Sequence, residues 1–103
     1  MKIAIATSGN ILKSSISEHF GRSNYYCIYN ADNQETDFFE NPIFQNPEMD
    51  MCVTGEYFVD KKVTAVVAGR FGAKIIEYFR ERNIQMIMPE KLRTAKDIIN
   101  LIK

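Results

Sequence analysis

KIAIAT, at Lys2–Thr7, is almost wholly apolar and only six residues long. A continuous apolar run this short fits a strand covered on both faces at the centre of a sheet. VTAVVAG at 63–69 repeats the pattern, and IQMIMP at 84–89 gives a third strand of the same kind. YYCIYN at 25–30 is aromatic and β-favouring, and ADNQ then sets Asp32 and Asn33 at a turn into ETDFFENP. Those two segments predict a hairpin.

Helical spacing occupies the gaps between strands. EMDMCVTGEYFVDKK places Met49, Cys52, Val53 and Tyr57 on one stripe, although Gly55 and the β-branched residues oppose a helix there. After the 63–69 strand, Ile75, Ile76 and Phe79 keep helical spacing, and Asn83 can end that helix in a left-handed conformation. Thr94 is the candidate N-cap of a last helix, with Asp97 three residues on and Ala95, Ile98, Ile99 and Ile102 on its buried stripe. The order is β-β-β-α-β-α-β-α, a hairpin-led start followed by right-handed crossovers into parallel strands. We therefore expect an α/β fold of the ribonuclease H-like type, a five-stranded mixed sheet flanked by helices.

Composition narrows the class. The 103 residues fit one domain spanning 1–103. With 46% apolar residues, seven Phe and five Tyr, the chain can bury a core without a disulfide or structural metal. Thirteen basic residues balance thirteen acidic ones, so no global field draws in nucleic acid. The first apolar run is too short for a signal peptide or a membrane span, which makes a cytoplasmic location the expectation. Cys27 and Cys52 form no C-x-x-C pair and are expected to stay thiols.

Open α/β sheets gather ligands beyond the carboxyl ends of their parallel strands. Two segments leave the predicted sheet at that rim. Residues 8–24 form a long connection, functional or disordered by its length, and its SEHFGR stretch holds His19, the chain's only histidine. GRFGAK at 69–74 opens a helix whose first amides and dipole favour an anion, while Gly69 and Gly72 permit close backbone approach. If the two parent strands are neighbours, Arg70 and Lys74 face Lys13 and Arg22 across one basic crevice. The competing reading is that the glycines only make a tight turn and the cations are solvated.

An imidazole can ligate iron or shuttle protons, yet a lone histidine is also an ordinary loop residue. Protein metal sites usually take more ligands, so His19 makes sense as a ligand only if the guest brings most of its own coordination, as a preassembled cluster does. Met49, Met51 and Cys52 in MDMC are possible soft ligands, although the same residues suit a core. Cys27, in mid-strand, reads as buried. Catalysis lacks its parts: the first strand carries no carboxylate for a two-metal nuclease, no phosphate-binding glycine motif is present, and Ser14, Ser15 and Ser17 sit in no G-x-S-x-G elbow. We expect no enzymatic activity.

Taken in order, MKIAIATSGN, SSISEHFGRSNYYCIYN, ENP and VTAVVAGRFGAKIIEYFRERNIQMIM resemble the dinitrogenase iron-molybdenum cofactor biosynthesis family, found as NifX-like proteins and at the C-terminus of NifB. S-x-HFGR is the most specific of these elements. The resemblance implies a non-catalytic carrier that transiently binds an iron-sulfur or iron-molybdenum cluster, or its precursor, and exchanges it with donor and acceptor proteins. From the balanced charge and the short first apolar run, no nucleic-acid or membrane partner is expected. The resemblance makes His19 the cluster contact, with Phe20, Gly21 and Arg22 shaping the pocket; the GRFGAK helix start, read from its residues, sets Gly69, Arg70 and Gly72 on the wall opposite. After ENP this chain departs from the family, with bulky, sulfur-bearing IFQNPEMDMCV in place of glycine and alanine. Two alternatives stand beside the carrier: a small-anion or nucleotide binding module built on GRFGAK, and a protein-interaction or regulatory domain using hairpin aromatics Tyr25, Tyr29, Phe38 or Phe39.

Overall fold

The computed structural model describes residues 1–42, 51–91 and 93–102; the side chains of residues 51–54 are outside that description. Five strands, β1 (Lys2–Thr7), β2 (Tyr25–Asn30), β3 (Glu35–Glu40), β4 (Val63–Val67) and β5 (Gln85–Ile87), alternate with three helices, α1 (Met51–Asp60), α2 (Ala73–Glu81) and α3 (Ala95–Ile102). They make one mixed sheet in the order β3-β2-β1-β4-β5. β1 is central, antiparallel to β2 and parallel to β4.

Period-two alternation divides β1 between two cores. Ile3 and Ile5 face α3 with Ile16, Cys27, Tyr29, Val67, Ile98 and Ile99. Ala4 and Ala6 face the other way, toward Phe20, Tyr26, Phe58, Phe71 and Phe79. Alanine on that face leaves room for the rings. Phe20 lies 5.1–5.6 Å, centroid to centroid, from Tyr26, Phe58, Phe71 and Phe79, the tilted and edge-on spacing that aromatic packing favours.

Helix ends follow local chemistry. The Thr94 amide donates to Asp97 Oδ2 at 3.1 Å and the Asp97 amide to Thr94 Oγ1 at 3.2 Å, a reciprocal cap on α3. Asn83, at φ 58°, takes the left-handed conformation just beyond α2. No helix among the described residues is long and apolar enough to cross a membrane.

Several expectations need correction. In α1 it is Phe58 that is fully buried, while Tyr57 stays 39% exposed on the flank. Gly55 is there because α2 comes close: a Cβ on it would lie 2.7 Å from the Tyr78 ring. Met49 lies outside the described residues. β5 pairs only over Gln85–Ile87, because Pro89 has no amide for a ladder and Met88 already points to solvent. The hairpin turn does hold Asp32 and Asn33 as expected, with Gln34 left-handed at φ 61°; Asn30 and Asn33 support it by accepting from the Asp32 and Glu35 amides. Tyr29 is not an exposed hairpin aromatic, since β2 is an interior strand and this ring packs, 2% exposed, on the α3 side. The long 8–24 connection is pinned rather than loose. Thr7 bridges Ile16, Ser15 bridges Thr94, and the Ser8 amide donates to the Ser15 carbonyl at 2.9 Å.

Candidate functional site

β1 and β4 are parallel neighbours, so the segments leaving their carboxyl ends emerge side by side. Backbone bonds then join the two. The Ser17 amide donates to Ala6 at 2.8 Å, the Gly69 amide to Ser17 at 2.9 Å, and the Phe20 amide to Arg70 at 3.0 Å. His19 and Arg70 pair as a short parallel bridge. Gly69 is required for this crossing: a Cβ there would stand 2.8 Å from the Glu18 carbonyl oxygen and 2.9 Å from its Cα. Its φ is not left-handed, so close backbone approach, and not turn freedom, is the reason for glycine.

Phe20 anchors the next turn by its burial in the aromatic core, at 1% exposure. His19 on one side of it and Arg22 on the other remain exposed. They open onto a cleft of about 300 Å³, lined by residues 19–22 on one wall and residues 72–75, from the start of α2, on the other. That volume is at the small end for ligand sites. Gly72 is the N-cap of α2, in extended backbone (φ −69°, ψ 157°), and a Cβ on it would meet nothing within 4 Å. The mouth is therefore open at the helix start, where first-turn amides lack intrahelical acceptors and the dipole is positive. Arg22 and Lys74 add cationic side chains to the lining.

The sequence-predicted residues thus separate into groups. His19, Phe20, Gly21, Arg22 and Gly72 share the cleft. Gly69 and Arg70 build it through their backbone. The Arg70 guanidinium faces Glu18 at 3.5 Å with both side chains over 60% exposed, a weak surface pair that partly neutralises its charge. Lys13 lies outside the lining, and Cys27 belongs to the opposite face of the sheet. Met49 and the side chains of Met51 and Cys52 fall outside the described residues. Among the described residues, no three His, Cys, Asp or Glu side chains gather to hold a bare metal ion. A second cleft of about 290 Å³ lies at the other end of β1, where Lys2 and Lys61 mix with Glu35 and Asp37.

The sequence pattern assigns no role to Ser23, Tyr26 and Asn41, yet Tyr26 and Asn41 bond to carbonyls of the turn and the Ser23 hydroxyl ties the turn to the Thr7 carbonyl. Asn41 stands in ENP and Ser23 directly after HFGR, so a signal was present in the motifs. Nothing in the local pattern said that these polar groups would be buried.

A family model described as dinitrogenase iron-molybdenum cofactor matches residues 1–103. The chain belongs to this family. No curated protein sequence matches it. Solved structures share the fold of this chain. A Thermotoga protein described as NifB, of the DUF35 family, solved by NMR, superposes with TM-score 0.81 at 23% identity, covering 98% of this chain and 85% of that one. The apo form of the orange protein from Desulfovibrio gigas gives 0.81 at 16% identity with the same coverage. A Methanocaldococcus jannaschii protein described as a dinitrogenase gives 0.67 at 23% identity, covering 99% of this chain and 88% of that one. At such identities these likenesses concern the fold alone.

Proposed function

We propose that this member of the dinitrogenase iron-molybdenum cofactor family is a non-catalytic carrier that takes an iron-sulfur or iron-molybdenum cluster, or a precursor, as cargo in the His19 cleft. The observation that carries the reading is the pairing of His19 with Arg70, which brings an exposed imidazole to the open start of α2. One imidazole suits a guest that arrives with its other ligands in place. Clusters of this type are anionic, and first-turn amides with Arg22 and Lys74 complement that charge. Phe20 holds the turn by its burial, and Gly21 belongs to the lining. Met51 and Cys52 remain candidates for additional sulfur ligation.

The strand order, with a leading antiparallel hairpin and β1 at the centre, supports a ribonuclease H-like assignment, with residues 1–103 as one domain. The same reading expects donor and acceptor proteins as partners, a cytoplasmic location and no turnover chemistry. The small-anion alternative is favoured by the open α2 start, and it predicts a colourless protein stabilised by phosphorylated metabolites.

The test is anaerobic purification from an iron-replete host, with absorption spectra and metal analysis of wild type and His19→Ala. Visible absorption and iron that fall together in the variant support the carrier. Equal uptake by both removes His19 from the role, and a wild type that stays colourless after reconstitution with ferrous iron and sulfide removes the carrier.

A further inference from the structure

The turn at residues 19–23 belongs to no helix or strand, yet three of its carbonyls, those of Phe20, Gly21 and Ser23, are held by buried groups from elsewhere. The Tyr26 hydroxyl, on β2, donates to the Phe20 carbonyl at 2.5 Å. The two N–H groups of Asn41 Nδ2, just past β3, are shared among the Gly21 carbonyl at 3.0 Å, the Ser23 carbonyl at 2.8 Å and the Tyr26 hydroxyl oxygen at 3.1 Å. Ser23 Oγ lies 2.8 Å from Ser17 Oγ and reaches the Thr7 and Tyr25 carbonyls at 2.8 and 2.7 Å. Tyr26 and Asn41 are fully buried and Ser23 is 1% exposed.

Polar groups buried this deeply are costly unless bonded, and an apolar filling would serve compactness as well. What the bonds do specify is backbone shape, because one amide and one phenol tie Phe20, Gly21 and Ser23 to β2 and to the end of β3. The burial that surrounds Tyr26 also raises its phenol above the ordinary range and keeps it a neutral donor.

We propose that Asn41 and Tyr26 are positioning residues that hold the 19–23 turn in one preset conformation, so that His19 and Arg22 meet the anionic cluster without first being ordered. This rests on the carrier reading of the cleft. A site that is already shaped avoids the entropy loss of fixing a loop on binding.

The experiment has two arms. In the first, backbone amide exchange is followed by NMR on the cluster-free chain for wild type, Tyr26→Phe, Asn41→Ser and a core control, Ile99→Val, on the α3 side. The expected result is exchange at the Phe20 and Ser23 amides about tenfold faster in Tyr26→Phe and Asn41→Ser, with β1 amides unchanged, and no selective effect in the control. In the second, the same chains are titrated anaerobically with a synthetic, thiolate-ligated tetranuclear iron-sulfur cluster. Affinity should fall about three- to tenfold in both turn variants at unchanged stoichiometry, and stay at the wild-type value in Ile99→Val.

Unchanged exchange in the turn variants overturns the proposal, as does faster exchange with wild-type affinity. Should Asn41→Ser fail to fold, Tyr26→Phe, which deletes one oxygen and keeps the ring, decides alone. A wild type that binds no cluster while the exchange pattern changes as stated defeats the carrier reading and leaves the clamp on the turn standing.

Discussion

Alanine at position 69 would force a methyl group to within 2.8 Å of the Glu18 carbonyl oxygen, where ordinary contact begins at 3.4 Å. The obstacle is backbone on both sides, so no side chain can swing away. The two loops must part, and overpacking of this kind costs roughly 1–3 kcal/mol. Parting also weakens the Gly69 to Ser17 and Phe20 to Arg70 bonds, each worth about 1 kcal/mol when intact, and losing about half of each brings the total to about 2–4 kcal/mol. Gly72→Ala is the matched control. Its φ of −69° suits alanine and the added Cβ meets nothing, so a small capping loss and a small gain from a stiffer unfolded chain leave a net change within about 0.5 kcal/mol. Urea unfolding followed by far-UV circular dichroism, with midpoints compared at constant slope, measures both. If the two variants fall within about 0.5 kcal/mol of each other, the crossing of the two loops is not the constraint described.

Four further outcomes are expected. Gly55→Ala gains helix propensity of about 1 kcal/mol but drives a Cβ into the Tyr78 ring, which Arg82 covers at 3.6 Å; a net loss of stability in the same urea assay is predicted. Phe20→Ala removes the centre of the aromatic cluster and should cost about 3–5 kcal/mol in thermal or urea unfolding. Bonds from the Thr94 amide first, and then its hydroxyl, hold the Asp97 carboxyl below the usual range. That contribution is complete above the unfolded carboxylate value of about 3.9 and disappears as pH falls through the lower folded value, so Asp97→Asn should lose stability less steeply below about pH 4 in acid titrations. Burial, with a smaller effect from Asp37, pushes the Cys27 thiol up to about 12. In a Cys52→Ser background, Cys27 should therefore react with a disulfide reagent at pH 8 only as fast as the chain unfolds; rapid stoichiometric labelling of the native protein would contradict this.

Much of the sheet could be read from the chain because buried strands are continuous apolar runs. KIAIAT and VTAVV are apolar enough to demand cover on both faces, whereas their pairing as neighbours is a property of the folded sheet. The cap on α3 was equally legible, since Thr94 and Asp97 carry their partners at fixed spacing. What stayed hidden depends on neighbours distant in sequence. Tyr57 and Phe58 are adjacent aromatics, and which ring turns inward is decided by how α1 seats on the Phe20 and Tyr26 rings. Gly69 is glycine because of Glu18, and Asn41 is buried because its amide fills a space beneath Gly21 and Ser23. Of the site, His19, Arg22 and the α2 start were visible as chemistry; the buried groups that shape their turn were visible only as a motif without a function.

One histidine per chain makes the central claim directly accessible. Protein labelled with 15N only at histidine, loaded anaerobically with a paramagnetic iron-sulfur cluster and studied by pulsed electron paramagnetic resonance, should show a strongly coupled nitrogen whose frequencies change between the 14N and 15N samples. Spectra identical for the two isotopes, on a chain that has nonetheless taken up the cluster, would contradict direct contact between His19 and its cargo.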